Sequence, residues 1–281
     1  MASFKEMKKN RMANLESLSK QVEKLAEKPS YEDERIWKLE RDKTGNGYAV
    51  IRFLPAPLNE DVPWVRIWTH GFKGPGGWYI ENSLTTLGKD DPVSKANTAL
   101  WNSGIDSDKN IARERRRKLN YYSNIYIVED AANPENVGKV FLFRYGKKIF
   151  EKITGVMNPE FADETPLNPF DLWEGSNFKM KMRQIDGFPN YDKSEFTDKC
   201  PLDGDEKKLE DIWKQQYSLT EVTEEKNFKN YAELEARFNT VIARKGDEFV
   251  GNIEESSEEP VASTEKTDDT LDYFKKLAEQ E

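Results

Sequence analysis

The chain has 281 residues, with 52 acidic and 43 basic side chains and a formal net charge of -9. This length allows one domain with a sizeable core and appended segments, whereas an acidic balance is unusual for a nucleic-acid-binding protein. A single cysteine excludes an internal disulfide, and one cysteine with one histidine cannot supply the ligands of a zinc finger. The chain has no long apolar run and no secretory signal, so we expect a soluble intracellular protein.

The first segment of the chain has the pattern of a basic amphipathic helix. Residues 1–12 carry a net charge of +3, and apolar residues recur at steps of three and four from Met12 to Leu25. This spacing predicts a helix, which Pro29 ends because a proline disfavours the helical conformation of the residue before it. Such a helix binds a membrane, a nucleic acid or another subunit, or it docks on its own domain.

Strand-like periodicity begins after residue 31 and continues to about residue 245. Apolar runs between glycine- and asparagine-rich turns predict six strands, at 48–54, 65–70, 77–81, 121–129, 139–145 and 178–185. Helical spacing is found at 147–157, 205–217 and 230–244, whereas 87–120 is polar and typical of a separate lobe. Many short strands with few helices predict a mainly β, α+β fold built on a small antiparallel barrel.

Cations lie beside aromatic residues in three segments of this core. One is the run 113–118, which leads directly into Tyr121 and Tyr122, and the second is 143–148. In the third, 178–183, the two-residue period of a strand places three cations on one face, and two aromatic residues follow in a turn. Cations neutralise phosphates and aromatic faces stack on bases, so the pattern predicts a single-stranded nucleic-acid site. The alternative is a solvated charged face beside aromatic residues of the core.

The candidate nucleic-acid-binding residues follow from these segments and from one tryptophan on the polar lobe. They are Trp101, Arg115, Arg116, Arg117, Lys118, Tyr121, Tyr122, Phe143, Arg144, Tyr145, Lys147, Lys148, Lys179, Lys181, Arg183, Phe188 and Tyr191.

The sequence has few features of an enzyme. It lacks the glycine-rich phosphate loop and the nucleophile motifs of common hydrolases, and His70, in a strand-like run, is predicted to be structural. The acidic pairs Asp90–Asp91 and Asp203–Asp205 would hold a metal in a nuclease, but aspartate is common in such turns. We therefore predict a binding protein. The alternatives are a metal-dependent single-strand nuclease and a scaffold whose basic patches bind acidic proteins.

The whole net charge belongs to the last segment. Residues 246–281 contain twelve acidic and three basic side chains, so the preceding residues are neutral. This composition predicts a disordered tail. Near its end Leu271 and Phe274 have helical spacing, which favours a short peptide that folds on a partner; an inert solubilising tail is the alternative.

Several segments resemble the single-stranded DNA-binding, helix-destabilising proteins of T-even-type bacteriophages. The resemblance covers roughly residues 31–240. It rests on GNGYAVIRFLP (45–55), HGFK (70–73), GGWYIEN (76–82), NPENVGKVFLFRYGKKIFEKI (133–153), WEGSNF (173–178) and GFPNYDKSEF (187–196).

The resemblance implies a fold, a function and a division of the chain. The fold is a five-stranded barrel of the oligonucleotide-binding type with a smaller lobe, at about 65–120, and a basic, aromatic-lined cleft between them. Residues 31–245 form this DNA-binding core, 1–30 a basic arm for head-to-tail cooperativity, and 246–281 a tail for replication and recombination proteins. The protein coats and protects single strands during phage DNA replication, recombination and repair in the cytoplasm of the infected host cell. The self-association residues are Lys5, Lys8, Lys9 and Arg11.

One family feature is not matched by this sequence. The family's lobe holds a zinc ion through one histidine and three cysteines, and His70 matches the histidine. The cysteine positions fall on Ser83 and near Asp91 and Ser94. We therefore expect no metal and no other cofactor, with a lobe held by packing through Leu84, Leu87, Val93, Leu100 and Trp101.

Overall fold

The computed structural model describes residues 33–185 and 187–243. The predicted arm, its residues Lys5, Lys8, Lys9 and Arg11, and the acidic tail lie outside this range. The chain divides into two units, Met1–Trp37 and Lys38–Glu281. In the described part of the first unit, strand β1 is Ile36–Trp37, and the Arg35 guanidinium donates to the Asp33 carboxylate at 2.8 and 2.9 Å.

Four long antiparallel strands organise the second unit. They are β2 (Gly47–Phe53), β5 (Lys118–Asp130), β6 (Val140–Gly146) and β7 (Ser176–Ile185), in the order β6-β5-β2-β7. The period of two is visible in β7, where Phe178, Met180 and Met182 are buried while the intervening residues are more exposed.

Four further strands extend this sheet. β3 (Val65–Gly74) pairs with the start of β5 and forms a hairpin with β4 (Gly77–Asn82). β8 (Phe188–Asn190) pairs with the end of β7, and β9 (Glu195–Lys199) with its start. In the second unit the described ladders run from β6 to β8 without closing. The α+β fold is therefore confirmed, whereas the closed five-stranded barrel is not.

Five α-helices lie among the described residues. They are α1 (Pro92–Asn102), α2 (Asp106–Glu114), α3 (Lys147–Met157), α4 (Glu206–Lys214) and α5 (Tyr231–Ile242). The last three agree with the predicted helices, and α1 and α2 occupy the polar stretch 87–120. Short 3₁₀ turns are found at Leu84–Leu87, Pro134–Asn136, Thr220–Thr223 and Glu225–Asn227. None of the described helices is long and apolar enough to cross a membrane.

An aromatic cluster centred on Phe53 forms the core of the main sheet. The Phe53 ring lies 5.7 to 6.4 Å, between centroids, from the rings of five other aromatic residues. These are Phe143, Tyr145, Phe170, Phe178 and Phe196. Edge and tilted contacts of this kind add to the free energy gained by burying the rings.

A second, smaller core holds the lobe. Phe72 of β3 stacks on Tyr79 of β4 at 5.1 Å, and Phe238 of α5 meets both rings edge-on. The lobe is therefore completed by a helix more than a hundred residues further along the chain. Of the residues predicted to pack it, Leu84 and Val93 are buried, Leu87 and Leu100 are partly buried, and Trp101 is exposed.

Candidate nucleic-acid interface

Four aromatic residues predicted to face a ligand lie in the protein core. Tyr121, Tyr122, Phe143 and Tyr145 are at most 7% exposed. Tyr121 stacks on Phe150 of α3 with centroids 3.9 Å apart. The Tyr145 hydroxyl lies 2.9 Å from that of Ser123, and burial raises the pKa of Tyr145. These rings are therefore buried and are not open platforms for bases: Phe150 of α3 stacks on Tyr121, and Phe143 and Tyr145 belong to the Phe53 cluster.

The cations near these rings are exposed instead. Arg144 is directly opposite Tyr122 in the β5–β6 ladder, and its Nε donates to Asn120 Oδ1 at 3.3 Å. Asn120 pairs in turn with Gly146, so the start of β5 lies beside the end of β6. This register brings exposed Lys118 to the same edge of the sheet as exposed Lys147 and Lys148, which begin α3. The edge forms a basic patch that suits a phosphate backbone.

A cleft of about 690 Å³ lies between α1, α2 and the segment that joins α2 to β5. Its wall includes Trp101, which is 51% exposed, and the exposed arginines Arg113, Arg116 and Arg117. The guanidinium carbon of Arg113 lies 5.5 Å from the centroid of the Trp101 ring. The cleft thus places an accessible indole among three cations, an arrangement that suits base stacking together with phosphate neutralisation.

Arg115 and Arg117, which follow α2, contact different aromatic rings. Arg115 is half-buried, with its guanidinium carbon 5.6 Å from both the Phe72 and Phe238 rings, and burial lowers its pKa. It therefore packs against the lobe core, whereas the sequence places it among the candidate DNA-contacting cations. Arg117, in contrast, stacks over Trp68 at 4.2 Å. Trp68 was not among the candidates, because the alternation of β3 does not distinguish it from an ordinary surface residue. Arg113 was not a candidate either, although it begins the basic run 113–118.

The three cations of β7 have carboxylate partners. Glu195 of β9 is opposite Lys179 in the ladder and accepts from Lys181 Nζ at 2.7 Å. Arg183 Nε donates to Asp192 Oδ1 at 3.1 Å. These hydrogen bonds lower the pKa of both carboxyls. The charge of this row is therefore balanced by acids that β9 and the turn before it supply.

The turn after β7 presents one exposed and one partly buried ring. Phe188 is 75% exposed on β8, where it pairs with Ile185 in the ladder. Tyr191 is partly buried; burial raises its pKa, although the nearby Arg41 opposes this shift. Of the predicted aromatic platforms, Phe188 and Trp101 are thus the accessible ones.

A buried polar cluster forms the floor beneath the cleft. His70, 2% exposed, lies with Nε2 3.2 Å from Asp91 Oδ1, and its Nδ1 is 3.0 Å from the Arg115 carbonyl oxygen. Asp91 caps α1 by accepting from the Ser94 N–H at 2.9 Å, and it accepts from the Ser83 hydroxyl at 3.0 Å. Burial raises the pKa of Asp91, but the hydrogen bonds from His70, Ser94 and Ser83 outweigh it and hold the pKa at about 2.

The residues of this cluster do not fit a zinc ion. A structural zinc site has four ligands, mostly thiolate and imidazole, whereas this cluster offers one imidazole, one carboxylate and two hydroxyls. All four side chains already satisfy one another by hydrogen bonds, and the described residues contain no group of three or more His, Cys, Asp or Glu suited to a metal. His70 is buried and hydrogen-bonded within this cluster.

The acidic pairs also have structural roles. Asp205 caps α4 by accepting from the Lys207 N–H at 2.9 Å, and Asp203 pairs with Lys208. Asp91 caps α1 in the same way. Helix capping and ion pairing therefore account for these aspartates without a metal-dependent reaction.

Comparisons with known proteins place the chain in a family. Residues 45–242 match the family described as gp32 DNA binding protein like. The single-stranded DNA-binding protein of Enterobacteria phage T2 is 37% identical over 263 residues, which cover 92% of this chain and 85% of the relative. The protein of the same name from Enterobacteria phage T4 is 37% identical over 248 residues, or 87% of this chain and 80% of the relative. The chain belongs to the gp32-like family of phage single-stranded DNA-binding proteins.

Proposed function

We propose that this protein binds single-stranded DNA without marked sequence preference and does not act on it chemically. The observation that carries this proposal is the cleft at α1 and α2, in which exposed Trp101 lies among Arg113, Arg116 and Arg117. Every base has an aromatic face, so stacking on an indole tolerates any sequence. The arginines attract the phosphates on either side, and these contacts weaken as salt rises.

The strand follows two further surfaces in this proposal. One is the basic edge formed by Lys118, Arg144, Lys147 and Lys148, and the other is the turn that carries Phe188. Lys179, Lys181 and Arg183 contribute less to the affinity, because a phosphate has to compete with Glu195 and Asp192. Tyr191 supports the turn from a partly buried position.

The test is a titration of the full-length protein with short oligo-dT, followed by intrinsic tryptophan fluorescence. Stacking of a base on Trp101 is expected to quench part of the emission, and added salt is expected to reverse the quenching. A Trp101→Phe variant keeps a stacking surface and is expected to retain most of the affinity while losing that part of the signal. Affinity that does not respond to salt would reject the proposed cleft.

The finer parts of the function concern the two ends of the chain. We propose that the basic arm joins neighbouring copies head to tail on DNA, and that the acidic tail binds replication and recombination proteins of the phage in the host cytoplasm. Truncation at residue 246 is expected to abolish binding of those proteins and to preserve binding of short oligonucleotides. Loss of both activities would contradict the separate role of the tail.

The lobe, in this proposal, is held without a metal. A cluster of four polar side chains joins β3 to the start of α1 through hydrogen bonds, which take the place of the zinc ion expected from the family. The four residues are His70, Asp91, Ser83 and Ser94. An excess of EDTA is therefore expected to leave the melting temperature unchanged, and elemental analysis of the purified protein is expected to find no stoichiometric zinc. A chelator-induced fall in melting temperature would refute this part of the proposal.

A further inference from the structure

A groove of about 550 Å³ lies at the C-terminal end of α3. Its floor is apolar, with contributions from Val156 of α3, Leu167 of the following loop and Phe196 of β9. The eleven residues of α3 span about 16 Å at 1.5 Å per residue. The groove is therefore a helix length away from the cations Lys147 and Lys148 that begin the same helix.

The loop beside the groove exposes a large aromatic residue. Phe161 is 66% exposed and lines the groove together with Pro159. A backbone hydrogen bond from Leu167 N to the Val156 carbonyl, at 2.8 Å, ties the end of this loop to α3. An exposed phenylalanine beside an open apolar groove is the pattern of a surface that another segment covers.

The rim of the groove is acidic. Glu160 and Glu164 line the groove and are exposed, and the ion pairs of the described residues include neither of them. The other charged residues at the groove are engaged, because Glu195 accepts from Lys181 and Lys152 donates to the Asp192 carbonyl. The rim thus has two carboxylates available for a basic occupant.

Two segments of this chain outside the described residues are candidates for that occupant. The tail from residue 246 carries a net charge of -9 and is repelled by the rim. Residues 1–12 carry +3 and lead into apolar residues at helical steps, among them Met12, Leu15 and Leu18. A basic start followed by an apolar stripe complements an acidic rim beside an apolar floor.

We infer that this groove is the docking site for the basic arm of a second copy of the chain. The inference rests on the proposed function, in which the arm joins neighbours, and assigns the surface that receives it. Arm and groove are different surfaces, so the contact is heterologous and repeats in one direction as an open chain. Such a chain suits a protein that coats a single strand.

The experiment compares full-length variants on two ligands. A groove variant carries Glu160→Lys and Glu164→Lys, and an arm variant carries Lys8→Glu and Lys9→Glu. A control with the same change of charge carries Glu135→Lys and Glu235→Lys, two exposed acids remote in sequence from the groove. Affinity for an oligonucleotide that holds one copy reports the DNA site, and the ratio of long poly-dT affinity to that value reports cooperativity.

Each of the two variants alone is expected to lose cooperativity roughly two- to hundredfold, the range of couplings between contacting residues. The affinity for the short oligonucleotide is expected to change by a similar factor in the groove variant and in its charge control. An equimolar mixture of groove and arm variants is expected to regain cooperativity, because each reversed surface then meets its reversed complement on the neighbour.

The mixture separates contact between copies from docking of the arm on its own chain, because the second arrangement gives no rescue by mixing. Cooperativity that is absent in the wild type, unchanged in the groove variant or not rescued in the mixture would overturn the inference. A wild type that does not bind the short oligonucleotide would instead overturn the proposed function, so the two failures are distinguishable.

Discussion

The guanidinium carbon of Arg117 lies 4.2 Å from the centroid of the Trp68 ring, at the point where α2 gives way to β5. Stacking on an indole orders the arginine while its N–H donors stay available to an anion. Arg116, beside it, is also exposed. The two arginines are therefore exposed and accessible to phosphates at one side of the cleft that contains Trp101.

The first prediction concerns these two arginines. Replacing Arg116 and Arg117 with alanine is expected to reduce the slope of log affinity against log salt by about 0.7 for each phosphate of the single strand that the protein no longer neutralises. The measurement is a set of titrations between low and moderate salt. Lys208→Ala is the control, because Lys208 pairs with Asp203 near α4. Equal slopes in the wild type and in the double variant would exclude these arginines from the interface.

Trp101 supplies the second prediction. Stacking of one base on an aromatic side chain is worth about 1–3 kcal/mol, so Trp101→Ala is expected to weaken oligo-dT binding by roughly 5- to 100-fold. The melting temperature is expected to change little, because half of the side chain is exposed. Trp173→Ala is a matched control, since Trp173 is 58% exposed and comes before the start of β7, whereas Phe188 pairs with the end of that strand. If Trp173→Ala weakened oligo-dT binding as much as Trp101→Ala does, the effect would point to a general loss of structure.

Tyr121 separates the core from the interface in a third prediction. Its ring is stacked on Phe150 and Tyr145 and is 6% exposed. Tyr121→Ala is expected to lower the free energy of unfolding by about 3–5 kcal/mol, as for other large aromatic truncations in a core. Denaturant unfolding measures this loss. A variant of wild-type stability with weakened DNA binding would restore the original prediction that this ring is a platform for bases.

Much of the fold follows from local pattern, and the exceptions have a common cause. Helix α3 begins and ends where its spacing predicts, since Ile149 and Ile153 lie on one face and Gly146 precedes the first turn. The two-residue period also predicted that Lys179, Lys181 and Arg183 of β7 share the face opposite to Phe178, Met180 and Met182, which are buried. The period does not reveal which face another element covers, and it is α3, through Phe150, that covers Tyr121.

The same limitation explains the corrections to the candidate site. Lys181 appeared unopposed because its partner Glu195 is fourteen residues away across a ladder. Arg115 differs from Arg116 and Arg117 only through contact with Phe72 and Phe238, which come from distant parts of the chain. The general chemistry of the site, cations beside aromatic rings, was visible in the sequence. Which of these residues are accessible depends on contacts with residues that are distant in the chain.

The fourth prediction is a dependence of stability on pH. The pKa of Asp91 is about 2 in the folded protein, below its usual value of 3.8. The folded state thus favours the ionised form, so its contribution is complete above about pH 4 and is lost as the pH falls towards 2. The loss amounts to roughly 2 kcal/mol at 1.36 kcal/mol per pKa unit.

Comparison with Asp91→Asn isolates this contribution from those of other carboxyls with lowered pKa, such as Asp192 and Glu195. The variant is expected to be less stable than the wild type at pH 6, and the two stabilities are expected to converge near pH 2. Denaturant unfolding at a series of pH values gives the difference. A constant difference across that window would assign the effect to the shape of the side chain and not to its charge.

The central claim is that the surface around Trp101, Arg113, Arg116 and Arg117 binds single-stranded DNA. The most direct measurement is a titration of the full-length protein with a single strand of about 20 nucleotides at low salt, beside the same sequence as a duplex. We predict saturable binding that strongly prefers the single strand and weakens steeply with salt, because stacking on Trp101 requires unpaired bases. Failure to bind at micromolar protein, or equal binding of the duplex, would contradict the claim.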